Sequence, residues 1–342
     1  MRYGVIGTGS MGRRRARHLV ALGASPVLGF DVREDRRAQV TRETGIPTVA
    51  SREDLVAWGP DAVFICTPPA DHLEYMRLAL EQGWHFMVEN PAAHRLEGLD
   101  VLIRDVERQG IIANVSCNLR FHEPIRTIKD LVVKEVVGRV LTGIVEIGEW
   151  LPDWHPWEPY TDYYPSRRAR GGGLDVICDL DWLIDIFGPV SRAVAFGAKR
   201  SSLEIDTDDV VQMLVEFSGG PQVLLHSDMI QRPYTHRAKF VGEGGTISWE
   251  SSEQRVGVYR ADAARWEYVG EAAMEPGTVA NKPGFEWVEA MYEEDTKHFL
   301  RCLTGEARPL NTLQSNGEAL AVILGALAAG QTGRIWGVTG ER

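Results

Sequence analysis

The sequence predicts an α/β protein, a doubly wound parallel sheet followed by an α+β region with an open, mostly antiparallel sheet. Three observations carry this. The first third alternates short β-type apolar runs with helical patterns, a glycine-rich turn links the first run to the first helix, and after about residue 138 the segments lengthen and alternate in polarity.

Tyr3–Ile6, Val27–Phe30, Ala62–Cys66, His85–Val88 and Ile111–Val115 read as strands, with helices over Met11–Leu22, Glu34–Thr44, Ala70–Glu81 and Leu96–Gln109. A parallel connection has to cross over, and a helix is the usual crossover, so the sheet is expected to be covered on both faces. Val140–Glu149, Ser191–Lys199, Val210–Phe217, Gln222–Met229, His236–Val241 and Thr246–Glu250 read as the later strands, turned by Gly219-Gly220-Pro221 and Gly242-Glu243-Gly244-Gly245. Val211, Met213, Val215 and Phe217 alternate with Gln212, Leu214 and Glu216, giving one buried face and one mixed face suited to a subunit interface. Helices return at Phe285–Leu303 and Leu313–Ala329, and Glu271–Pro283 reads as a loop. The expected division is 1–119 for the first domain and 120–342 for the second.

The chain has 342 residues, 44% hydrophobic and 25% charged, enough for two packed cores and unlike a disordered or collagen-like composition. Its 37 Lys and Arg against 48 Asp and Glu leave a net charge of −11, which disfavours nucleic acid and anionic membranes as partners. Cys66, Cys117, Cys178 and Cys302 are scattered, with no CxxC pair and no zinc-spaced Cys/His cluster, so neither a disulfide framework nor a metal site is expected. Arg2-Tyr3-Gly4-Val5-Ile6 enters a strand without a charged-then-apolar leader, and Ala319–Ala329 is too short to span a bilayer. A soluble, cytoplasmic protein is the expectation.

Gly7-Thr8-Gly9-Ser10-Met11-Gly12 follows the first strand and opens the first helix, the setting in which GxGxxG binds a dinucleotide. The first glycine permits the tight turn, the second admits a pyrophosphate, the third allows close helix–strand packing, and the helix N-terminus faces the phosphates. Asp31 ends the second strand, 19 residues after Gly12, where a carboxylate binds ribose hydroxyls and repels a 2′-phosphate. This Rossmann-type reading favours NAD over NADP, a preference that Arg33 weakens. Cys66-Thr67-Pro68-Pro69 falls on the same rim, with Thr67 offering a hydroxyl and Pro68 helping to form a wall; the prolines also serve simply to stop the strand.

The chain resembles the Gfo/Idh/MocA oxidoreductases, the family of glucose-fructose oxidoreductase and inositol 2-dehydrogenase, along nearly its whole length. The resemblance lies in Gly7–Gly12, Cys66-Thr67-Pro68-Pro69 with His72, Glu89-Asn90-Pro91, Asn118-Leu119-Arg120-Phe121, Gly171-Gly172-Gly173 and Val241–Ile247. It implies a cofactor site including Ser10, Met11, Thr67, Pro68, His72, Glu89 and Asn90, a substrate site in the second domain, and homodimers or homotetramers packed through the C-terminal sheet. The reaction implied is hydride transfer between a nicotinamide and a carbinol carbon, with a positioned acid or base for the hydroxyl proton.

The sequence departs from the family where that proton is handled. The usual Glu-Lys-Pro reads Glu89-Asn90-Pro91, and an amide does not carry a proton. The family's Asp and His align on Asp175 and Cys178, or in another register on Asp181. With Ile177, Leu180, Ile184 and Phe187 inward, helical spacing puts Asp175, Cys178, Asp179, Asp181, Trp182 and Asp185 on the opposite side. A thiol with a pKa near 8.5 is a poor base at neutral pH, so Asp175 and His155 are the better candidates. Trp150, Trp154, Trp157 and Tyr160 around His155 suit stacking on a sugar, or closing a domain junction. Tyr163, Arg167, Asn118 and Arg120 complete the substrate candidates; the ordinary alternative is surface charge for Arg167 and an interdomain hydrogen-bonding pair for Asn118 and Arg120.

Three functions follow in order. The first is an NAD-dependent dehydrogenase or reductase of a sugar, polyol, cyclitol or sugar-nucleotide derivative. The second is an enzyme that keeps its NAD and recycles it during an epimerisation, elimination or glycoside cleavage. The third is a non-catalytic binder of dinucleotide or sugar.

Overall fold

The structure is a computed structural model describing residues 1–155, 158–253, 255–270 and 286–337. In chain order the first elements are β1 (Tyr3–Ile6), α1 (Ser10–Ala21), β2 (Val27–Phe30), α2 (Glu34–Thr44), β3 (Thr48–Val49), α3 (Arg52–Trp58), β4 (Ala62–Ile65), α4 (Pro69–Gln82), β5 (His85–Val88), α5 (Leu99–Gln109) and β6 (Ala113–Val115). Then come α6 (Glu123–Val133), β7 (Val140–Gly148), α7 (Ile177–Phe187), β8 (Val190–Ala198), β9 (Val210–Phe217), β10 (Gln222–Asp228), β11 (Thr235–Gly242), β12 (Gly245–Glu250), β13 (Val256–Arg260) and β14 (Arg265–Val269). The last are α8 (Glu286–Leu303), α9 (Leu313–Gln331) and β15 (Trp336–Gly337).

Two compact units result. One comprises Met1–Cys117 and Tyr292–Leu320, the other Asn118–Met291 and Ala321–Arg342. The expected single boundary after residue 119 therefore needs correction, because the chain returns to its first unit late. The reason is apolar burial: Phe299 of α8 joins Val5, Ala16, Leu19, Val40, Phe64 and Met87 in one core and meets Phe64 edge-on at 5.4 Å. Nothing local in the α8 pattern says which sheet will cover it.

The first unit holds a six-stranded sheet in the order β3-β2-β1-β4-β5-β6, parallel throughout. Every residue of β2 and β4 is buried, as a sheet covered on both faces requires. The order reverses at β1 and β4, whose carboxyl ends therefore flank the ligand crevice of this topology. β3 and α3 escaped the sequence reading, being two and seven residues long. Their signal was Ser51, which accepts from the Asp54 N–H at 3.1 Å as an N-cap, with Gly59 ending the helix in the left-handed region.

The second unit holds a nine-stranded sheet in the order β14-β13-β12-β11-β7-β10-β9-β8-β15. It is antiparallel except where β10 runs parallel to β7. Val211, Met213, Val215 and Phe217 are buried as the alternation predicts. α6, β13, β14 and β15 were not anticipated; β14 is exposed at every position and so carries no apolar alternation. The expected loop Glu271–Pro283 lies outside the described residues.

The two-faced reading of α7 is corrected. Trp182 is wholly buried and meets Phe240 at 6.1 Å, while Asp179 and Asp181 are buried too. Hydrogen-bond partners make this tolerable. Asp179 accepts from Trp182 Nε1 at 2.7 Å and His236 Nε2 at 2.9 Å, and Asp181 accepts from Arg120 at 2.8 and 2.7 Å. A polar residue at helical spacing faces solvent only when no such partner exists.

Candidate active site

At the carboxyl end of β1 the chain turns through Gly7, with φ +83°, into α1. A Cβ on Gly12 would stand 1.9 Å from the Gly7 carbonyl oxygen, so the third glycine is demanded by contact between helix and turn. Gly9 caps α1 in extended conformation without a side-chain cap, and no acidic residue occupies the first turn. The leading N–H groups beside Ser10 and Met11 thus retain their affinity for an anion.

Asp31 closes the second side of this rim. Its Oδ2 accepts from the Thr8 N–H at 2.8 Å and its Oδ1 from the Arg33 N–H at 2.9 Å, which leaves lone pairs for ribose hydroxyls. The Arg33 guanidinium turns to Asp35 at 2.6 Å. Arg36, which sequence reasoning passed over as one of several helix-surface arginines, places Nη1 3.2 Å from the point a Cβ on Gly9 would occupy. Thr67 Oγ1 is buried after β4 and has no hydrogen-bond partner among the described residues. A glycine cradle, an uncapped helix start, a fixed carboxylate and an orphaned hydroxyl fit a dinucleotide.

His72, expected in the cofactor site, has its ring turned into the first unit. Its ring is buried, with Nδ1 2.9 Å from the Pro91 oxygen and Nε2 2.8 Å from the Thr67 oxygen. It braces the two loops that follow β4 and β5, with Pro68 at the foot of the first, and burial lowers its pKa. Glu89 is held likewise: Oε1 accepts from Arg15 Nε at 2.7 Å. Arg15 is fully buried and places its remaining four donors on the Tyr292 carbonyl, Thr296 Oγ1, Ser116 Oγ and Asp295 Oδ2 at 2.8–3.0 Å. Asn90 Oδ1 accepts from Asn316 Nδ2 at 2.9 Å, and Asn316 Oδ1 accepts from the Ala92 N–H at 3.0 Å.

The second unit gathers a separate set. Asp175 precedes α7, and its Oδ1 accepts from the Tyr164 hydroxyl at 2.8 Å. Its Oδ2 is buried without a hydrogen-bond partner among the described residues, and burial pushes the pKa of this carboxyl up. Cys178 is partly buried in the first turn of α7, its N–H donating to the Asp175 carbonyl at 3.1 Å.

His155 stands edge-on to Tyr163 with ring centroids 4.9 Å apart. The Tyr163 hydroxyl donates to the His155 and Glu158 carbonyls, and burial raises its pKa to about 12. Tyr163 therefore packs the loop, in a cluster with Leu151, Leu203, Ile205 and Met229 against which Trp154 rests. Trp157 lies outside the described residues. Arg120 is taken up by Asp181, with Asp185 at 3.4 Å, so these bonds lie within the second unit. Asn118 Nδ2 lies 3.6 Å from Met291 Sδ, and Arg167 is partly buried with no ion-pair partner among the described residues.

Residues 1–117 match the family model described as an oxidoreductase family with an NAD-binding Rossmann fold, and residues 125–248 match its C-terminal domain. The chain belongs to the Gfo/Idh/MocA family. A myo-inositol dehydrogenase of Streptomyces leeuwenhoekii is 30% identical over 72% of this chain and 76% of its own. A 2,7-anhydro-N-acetylneuraminate hydratase of Mediterraneibacter gnavus is 24% identical over 93% of this chain and 91% of its own. Levoglucosan dehydrogenase, solved with NADH and levoglucosan, shares the fold with a TM-score of 0.84 at 16% identity, covering 99% of this chain and 100% of that one.

Against the Gfo/Idh/MocA pattern, the amide at Asn90 is built into the fold through Asn316, and the thiol at Cys178 stands one turn along from a buried carboxyl. Three residues of this family member that bond to expected site residues were not among those expected: Arg15, Tyr164 and Asn316. Arg15 looked like one more arginine in a basic helix, and Asn316 lies 226 positions from Asn90, so neither gave a local signal.

Proposed function

We propose that the protein is an NAD-dependent dehydrogenase or reductase acting on a carbinol or carbonyl of a sugar, polyol, cyclitol or sugar-nucleotide derivative, with Asp175 as its acid and base. The observation that carries this is the Gly7–Gly12 cradle with Asp31 fixed beside it and the Thr67 hydroxyl left over. NAD, when bound, supplies the hydride acceptor. Asp31 and the leading N–H groups of α1 hold the ribose and phosphates. When the carbinol carbon gives up its hydride, the hydroxyl proton passes to Asp175 Oδ2, and reduction returns it. Burial raises the pKa of this carboxyl, which strengthens it as a proton acceptor in oxidation.

Asn118, Trp154, His155, Trp157 and Arg167 are the substrate candidates retained from the sequence, with Cys178 beside the base. Trp154 and His155 suit a sugar's apolar and polar faces, and Arg167 a carboxylate or phosphate. The working form is a homodimer or homotetramer packed through the outer face of the nine-stranded sheet. There Ile144, Leu224, Leu214 and Val194 stand side by side across four strands, and the first three are exposed. No disulfide joins any of the four cysteines, which suits a reducing cytoplasm, and no helix of the described residues is long and apolar enough to cross a membrane.

The test is to incubate the purified protein with NAD+ or NADH and a panel of such compounds. Nicotinamide absorbance should change with at least one; silence across a broad panel counts against the proposal. A second reading is favoured by the relative named a hydratase, since adding water is not a net oxidation. NAD that copurifies and stays bound while a sugar product accumulates supports that reading.

A further inference from the structure

Asn90 stands at the carboxyl end of β5, partly exposed, where the ligand crevice of this topology opens. An amide can present either an oxygen acceptor or an NH2 donor, and the two readings imply opposite chemistry. Here the choice is fixed by a chain of bonds starting from a group with no freedom. The Ala92 backbone N–H can only donate, so the Asn316 atom 3.0 Å away is oxygen. The other end of the Asn316 amide is then NH2, which donates at 2.9 Å and requires that Asn90 answer with its oxygen. Asn316 is wholly buried on α9, so this orientation is held by the fold and not by solvent. Asn90 Nδ2 is left with two N–H donors and no acceptor among the described residues.

Resting on the dehydrogenase reading, we infer that Asn90 is an electrophilic donor that holds the oxygen of the reacting carbon through Nδ2, and that Asn316 is the residue that positions it. Asn90 exchanges no proton. As the carbinol is oxidised its hydrogen leaves as hydride and its hydroxyl proton goes to the base, while the N–H bond stays with the oxygen as negative charge develops on it. In reduction the same donor stabilises the oxygen as hydride arrives. Such a donor is useful only if it is pre-aimed, because its orientation is then set before the charge appears. The relay Ala92–Asn316–Asn90 does that aiming.

Asn90→Asp separates donor from acceptor, since the carboxylate keeps the bond from Asn316 and loses both N–H groups. It is expected to lower kcat by about 100-fold, the scale for removing one oxyanion donor, with the melting temperature close to wild type. Asn316→Ala is expected to lower kcat about tenfold, a smaller loss because the donor is freed and not removed. It strands the Ala92 N–H and will lower the melting temperature, so the decisive comparison is in the Asn90→Ala background. There Asn316→Ala should cause no further loss of kcat, whereas a purely structural role would add its full effect. Active wild-type protein with a tolerant Asn90→Asp variant, or with additive losses, overturns the inference alone. A wild-type protein without hydride transfer on any substrate overturns the dehydrogenase reading and the inference together.

Discussion

The Tyr164 hydroxyl donates 2.8 Å to Oδ1 of Asp175, leaving the opposite oxygen of that carboxyl buried and without a hydrogen-bond partner among the described residues. Burial raises the pKa and the Tyr164 bond lowers it, with burial the larger effect. With Asp175 as the proposed base, oxidation would need its ionised form, so the rate should climb with pH through a value above that of an ordinary carboxyl. Asp175→Asn should lower kcat by about 10²–10⁴-fold, and Tyr164→Phe should move the acidic limb of the pH profile upward. Because the folded state binds this proton more tightly than the unfolded one, stability is lost as pH rises from the unfolded pKa through the folded one. Asp175→Asn should therefore melt no lower than wild type at neutral pH, read by calorimetry.

Arg15 satisfies five donors inside the first unit, two of them on the carboxylates of Glu89 and Asp295. Arg15→Met leaves both carboxylates without their cation. A loss of about 3–5 kcal/mol in urea unfolding is expected, the usual result of breaking a buried pair from one side. A loss below 1 kcal/mol would show that water reaches the cluster.

Gly9 and Gly12 should respond differently to alanine. The Gly12 Cβ would overlap a backbone oxygen at 1.9 Å, whereas the Gly9 Cβ would meet only the Arg36 side chain at 3.2 Å, which can move. Gly12→Ala is expected to lower the melting temperature and NAD+ binding together. Gly9→Ala should spare stability and weaken NAD+ binding, both followed by thermal shift with and without cofactor.

Asp31 accepts from the Thr8 N–H, and its carboxylate is proposed to set the charge at the ribose edge. Asp31→Ala should weaken NAD+ binding by roughly ten- to hundredfold, since hydrogen bonds to a charged group contribute about 1.5–3 kcal/mol. The ratio of kcat/KM for NAD+ over NADP+ should fall, because the repulsion of a 2′-phosphate goes with the carboxylate. An unchanged ratio would place cofactor choice elsewhere.

Ile144 and Leu224 are paired in register on the outer sheet face. Glutamate at both positions should dissociate the oligomer, seen by light scattering, without altering the far-ultraviolet circular dichroism. A wild-type protein that is already monomeric ends the interface proposal.

Local rules were enough wherever neighbours in sequence remain neighbours in space. The parallel first sheet, the Gly7–Gly12 turn, Asp31 at the end of β2 and the buried side of β9 could all be read from spacing, since each depends on a period or a short turn. The relations that assign roles were out of reach. Asn90 is oriented from 226 positions away, Arg15 finds Asp295 across 280, and α7 is buried on its acidic side by Arg120 and His236. Sequence thus determined most of the strands and helices and the glycine turn at which a dinucleotide is proposed to bind. Tertiary structure alone decided which polar groups are satisfied inside and which are left to act, because a hydrogen bond depends on where two chain segments meet and carries no record of their separation along the chain.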